Sequence, residues 1–159
     1  MKEETSKEQI AKIASFPDNW LVRAVHLFSS AEIIFNKSLD RYHKQIRNIV
    51  SESNVEDKSI EDSMEYLRVG FLLAGFGFET LFKYCYIKQK QEYVRTTILK
   101  SGKIPHEMKT HDLIALANLA LLPIDSLNTY FLKKLSDHSI WAGRYPVSLN
   151  SKQFDNSLF

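Results

Sequence analysis

VGFLLAGFGFETLFKYCYI, Val69 to Ile87, is the one stretch apolar enough to suggest a membrane span, and its reading decides the fold. Glu79 and Lys83 stand well inside it, where each central charge would cost a lipid-facing helix about 2.5 to 3.5 kcal/mol. The run therefore reads as a buried core helix, with no membrane partner. From Ile60 the spacing Met64, Leu67, Phe71, Leu72, Gly75, Phe78, Phe82, Cys85 and Tyr86 holds one helical face, continuing with a break as far as Lys100. Glycine costs about 1 kcal/mol relative to alanine inside a helix, so Gly70, Gly75 and Gly77 point to close approach by a neighbouring helix. Phe71, Phe76, Phe78, Phe82, Tyr84 and Tyr86 cover more than one face, a surplus over a monomer core that points to a dimer interface.

Upstream, Leu21, Ala24, Val25, Phe28, Ala31, Phe35, Leu39, Tyr42, Ile46 and Ile49 recur in steps of three or four, which predicts a long helix with Asp18 or Asn19 as its N-cap. The polar stretch SESNVEDKS, Ser51 to Ser59, is the expected reversal between the two long helices. A short charged helix, Glu4 to Ala14, precedes Pro17 and reads as a docked arm rather than core. Downstream, SGKIPHEMK is a loop, Thr110 is placed to cap the short helix HDLIALANLALL, and Pro123 suits the first turn of a last helix running toward Trp141, with Gly143 ending it. No alternating strand pattern or repeat is present. The expected architecture is all-α, an antiparallel bundle of four to five helices, with residues 1–18 as the arm, 19–146 as the bundle and 147–159 as an irregular tail.

Composition excludes several classes of function. Twenty-one Lys plus Arg against 19 Asp plus Glu leave a net charge of +2, so any anion site has to be local. Cys85 is the only cysteine, which rules out an intramolecular disulfide and a cysteine-based zinc site and fits a reducing, cytoplasmic compartment. MKEETSKEQIAK lacks the apolar core of a signal peptide. There is no Gly-rich phosphate loop, no Gly-x-Ser-x-Gly elbow and no His-Glu-x-x-His helix. His26, His43, His106, His111 and His138 are not paired at helical spacing, so neither metal nor cofactor is expected.

The residues left to carry chemistry fall in three places. Glu79 and Lys83, four apart, form a favourable intrahelical pair in an apolar helix, with His111 or Arg144 as the expected polar neighbour. His111 and Asp112 open a helix whose free amides attract anions, although capping alone explains Asp112. Arg144 could fork onto a phosphate and Tyr145 could stack on a base; their structural alternative is to close the last helix.

Three segments, GFGFETLFKYCYI, KTHDLIAL and WAGRYP, together resemble the HEPN (higher eukaryotes and prokaryotes nucleotide-binding) domains, over about Trp20 to Pro146. The resemblance implies a helical bundle that dimerises. In many HEPN domains it also implies a ribonuclease, through an Arg and a His separated by four to six residues. That motif is absent here: two residues separate Arg23 from His26, one separates Arg41 from His43, and ten separate Arg95 from His106. The departure suits the branch that pairs with a nucleotidyltransferase. The expected function is a dimeric interaction module or an RNA- or nucleotide-binding module of a toxin-antitoxin or phage-defence type. Its competitors are a ribonuclease with a rearranged site of Glu79, Lys83, His111 and Arg144, which requires those side chains to converge, and a helical subunit serving assembly alone.

Overall fold

The computed structural model describes residues 5–51 and 58–139. Over them the chain is an all-α bundle without a strand: α1 (Ser6–Ala14), α2 (Pro17–Val50), α3 (Lys58–Ser101), α4 (Leu113–Leu119) and α5 (Ser126–Asp137), with a 3-10 turn at His106–Lys109. No helix among the described residues is long and apolar enough to cross a membrane.

α2 and α3 form the frame, an antiparallel pair in which Phe28 meets Phe78 and Phe35 meets Phe71, edge to face at 5.0 and 5.1 Å between ring centroids. Ala24, Ala31, Ser38 and Gln45, seven residues apart, are all buried along the row of α2 that faces α3. The three glycines of α3 do what their cost suggested. A Cβ on Gly70 would strike the Phe35 ring, one on Gly77 would come within 2.8 Å of the Phe28 ring, and one on Gly75 would overlap the Ser139 hydroxyl. The break falls at Lys90, with φ −127° and ψ 30°, and beyond it Val94 and Ile98 pack with Ala11 and Met108.

Two apolar clusters share α3. One joins Ala11, Tyr86, Ile87, Val94, Ile98, Met108 and Ala120. The other joins Phe82 to Leu113, Leu116, Ala117, Leu132 and Leu135. The aromatic surplus of α3 is largely taken up inside the chain: Phe71 lies between Phe35 and His138, Phe78 between Phe28 and Phe82, and Tyr86 donates a hydrogen bond to Glu107 at 2.8 Å.

Several boundaries differ from expectation. α2 begins at Pro17, which lacks the N–H that a first-turn position leaves unpaired, with Asp18 in its first turn. Asn19 instead donates to the Ile13 carbonyl and helps close α1. Asp112, not Thr110, caps α4; its carboxylate accepts from the Ile114 and Ala115 amides, while the Thr110 hydroxyl accepts from the Asp112 amide. Asp125 caps α5, so Pro123 sits in the connection before it. α3 starts at Lys58, inside the stretch expected as a loop, and the SGKIPHEMK loop holds the 3-10 turn. α1 starts at Ser6 behind a capping box of Thr5 and Glu8, and it is part of the core, since Ala11 is 1% exposed within the first cluster. Half-buried Trp20 packs on that cluster and donates to the Ala14 carbonyl, so the arm docks on its own bundle. Trp141 and Gly143 lie outside the described residues.

Candidate functional site

Glu79 sits at the centre of α3, where the helix faces the start of α4. One carboxylate oxygen accepts from Lys83 Nζ at 2.6 Å and the other meets His111 Nδ1 at 2.9 Å. The side chains of Lys83 and Glu79 are 8% and 13% exposed and that of His111 is 47% exposed. A buried carboxylate thus holds one sealed cation and one ring that reaches the surface. With the ring proton on Nδ1, where the carboxylate attracts it, Nε2 keeps its lone pair for a proton or a hydrogen-bond donor from outside.

The two residues after His111 fix its position. Asp112 caps α4, and the Leu113 amide donates to the buried Ser136 hydroxyl of α5 at 2.9 Å. The opposite end of α4 is closed by Gln89, which donates to the Ala120 carbonyl. α4 is therefore tied to α5 at its start and to α3 at its end, and His111 sits directly before its cap.

Of the sequence candidates, the structure brings Glu79, Lys83 and His111 together. Asp112 is adjacent, and one oxygen of its carboxylate, Oδ1, accepts from two backbone amides. Arg144 and Tyr145 lie outside the described residues. Sequence reasoning misses Ser136, because its partner is 23 positions away and no local pattern marks it.

Other titratable groups have shifted values. Burial pushes the Tyr86 hydroxyl far up, and its hydrogen bond to Glu107 adds to the shift. Burial also pushes Glu107 up, but its own backbone amide and the hydroxyls of Tyr86 and Tyr93 outweigh this and hold it below the usual carboxylate range. His138 is lowered by burial and by the nearby Arg68 charge, against the opposing effect of the hydrogen bond to the Arg68 carbonyl at 2.8 Å. Burial raises Cys85, which disfavours the reactive thiolate. Among the described residues no group of three or more His, Cys, Asp or Glu side chains could hold a metal ion.

Compared with family models, with curated proteins and with solved structures, the chain matches none.

Proposed function

We propose that this chain is a HEPN-like helical domain that acts as a homodimer and binds RNA or a nucleotide, in the cytoplasm, as part of a toxin-antitoxin or phage-defence type of system. The observation that carries the reading is the 2.9 Å contact between Glu79 and His111. It joins two of the three segments on which the resemblance rests, GFGFETLFKYCYI and KTHDLIAL, into one polar corner 32 residues apart in sequence. Because Glu79 takes up the charge of Lys83, contact with a phosphate falls to His111 and to Arg144, with Tyr145 stacking on a base. A protein partner such as a nucleotidyltransferase fits the branch without the Arg-His motif.

The test is light scattering coupled to size exclusion on the full chain, with and without a pool of mixed RNA oligonucleotides. A dimer whose elution shifts with RNA, with the shift lost in Arg144→Ala and in His111→Ala, supports the reading. A dimer that ignores RNA and nucleotides removes the ligand and leaves the interaction module. A second reading, ribonuclease, is favoured by the orientation of His111, whose Nδ1 is held on a carboxylate as an acid-base imidazole requires. A gel of the same RNA decides it: cutting lost in His111→Ala supports cleavage, and intact RNA at every pH from about 5 to about 9 removes it.

A further inference from the structure

We propose that the strip of surface running from His111 through Lys109 and Tyr93 to Lys100 is a track for single-stranded RNA, with the open ring of Tyr93 as a base-stacking platform. The inference deepens the ligand part of the proposed function, extending that site along α3, and rests on it.

Charge singles out this strip. From Lys88 to Lys109 the chain places six Lys and Arg residues against Glu92 and Glu107, a net of +4 in a chain whose total is only +2. The carboxylates are already engaged. Glu92 accepts from the Thr96 hydroxyl at 3.3 Å and lies 3.9 Å from Arg95, and Glu107 accepts from Tyr86. At the His111 end, Glu79 is held by Lys83 and His111, and Asp112 caps α4. Among the described residues neither Lys100 nor Lys109 is in an ion pair, and both are exposed. Exposed cations in excess of carboxylates attract a polyanion, and each phosphate they neutralise releases counterions.

The fold lines these groups up. The segment from Glu107 to His111 runs alongside α3, anchored at one end by Tyr86 on Glu107 and at the other by His111 on Glu79. Lys109 lies between the two anchors. The Tyr93 hydroxyl bonds to the same Glu107 carboxylate, and His106 stands beside it. Tyr93 is nonetheless 51% exposed, so its ring is held at the tip while its body stays open to solvent. A ring fixed in this way can stack on a base with little rotamer entropy left to lose. Lys100, seven residues further on, shares the face of α3 that carries Tyr93. From Glu79 to Lys100 α3 rises about 30 Å, the length of about nine nucleotides stacked at about 3.4 Å.

Fluorescence anisotropy of a labelled single-stranded RNA of about ten nucleotides tests this on the full chain, over a range of salt concentrations. Tyr93→Ala should weaken binding about tenfold, and Tyr93→Phe, which keeps the ring, should weaken it much less. Lys100→Gln with Lys109→Gln should lower the slope of log affinity against log salt by about 1.4, since each phosphate contact on a single strand contributes about 0.7. Lys37→Gln with Lys44→Gln removes the same charge from exposed positions of α2 and should leave the slope unchanged. All five positions are exposed, so the helical circular dichroism of each variant should match the wild type. A wild-type chain that binds no RNA removes the ligand reading and this inference together. Binding that is lost in His111→Ala but untouched by Tyr93→Ala and by the Lys100 and Lys109 pair overturns the track alone. An equal effect of the α2 pair also overturns it. So does a duplex of the same length bound as tightly as the single strand, because only unpaired, splayed bases stack on an aromatic side chain.

Discussion

The two ends of the α2–α3 pair are built from different materials. At one end α1, α4 and α5 close over α3, and Ile87, Val94, Ile98, Met108, Leu113 and Leu116 are at most 1% exposed. Toward the other, beyond the Phe35 and Phe71 rings, the inner row of α2 turns to Ser38 and Gln45, while Leu39, Tyr42, Ile46 and Val50 face outward. Lys37 and Arg41 lie over the Tyr66 ring, so cations on an aromatic face join the helices where aliphatic side chains do so elsewhere. A helix pair that is core at one end and surface at the other does not have uniform stability. The closed end holds the fully buried side chains and the Glu79 corner, and the open end leaves Leu39, Tyr42, Ile46 and Val50 exposed.

The comparison breaks most directly by cutting a side chain at each end. Ile87→Ala should lower unfolding free energy by about 2 to 5 kcal/mol in urea melts, since a fully buried side chain leaves a cavity. Leu39→Ala, at an exposed position, should stay within about 0.5 kcal/mol. Equal losses would erase the distinction. Next in size is the ion pair on the closed side. Glu79→Ala leaves Lys83 buried without its carboxylate and should cost about 3 kcal/mol, whereas Lys83→Met with Glu79→Met should cost much less, because a buried pair is easily replaced by apolar volume. A double variant as unstable as the single one would show that the pair stabilises the fold on its own account.

Asp112→Ala removes the acceptor of two amides and should cost about 1 kcal/mol, read as a fall in melting temperature. His138, buried beside Phe71, sharpens the contrast through pH. Its folded pKa lies below the ordinary 6.5, so below that pH the unfolded chain binds more protons. The stability it contributes is complete above about pH 6.5 and is lost as pH falls through the lowered value. Urea midpoints measured from about pH 7.5 to about pH 5 should decline, and His138→Gln should flatten that decline. The smallest effect belongs to Leu121, exposed and held at φ 54°, where a glycine is unstrained. Leu121→Gly should be neutral or stabilising by up to about 1 kcal/mol.

The helices themselves were legible in the sequence, because the three- and four-residue steps of Leu21 to Ile49 and Met64 to Tyr86 are a local property of each segment. So was the pairing of Glu79 with Lys83, one helical turn apart. The role of the α3 glycines was legible too, as a cost that only a close neighbour offsets. The caps were not, since Thr110 and Asp112 are both good caps and the choice depends on how the chain enters α4 between α3 and α5. Nor was the fate of the aromatic surplus: counting Phe71, Phe78 and Tyr86 shows more than one face, but whether the second face meets α2, α4 or another molecule depends on packing.

Periodicity, charge and composition thus determined that the chain is helical and that its most apolar helix is core rather than a membrane span. Only the tertiary structure decided that Glu79 meets His111, that Ala11 of the arm joins the core, and that Val22, Val25, Leu39 and Ile46 of α2 stay exposed. The physical reason is range. Helix formation and i,i+4 pairing are set within a turn or two, while these contacts join side chains on separate helices and exist only once the helices have packed.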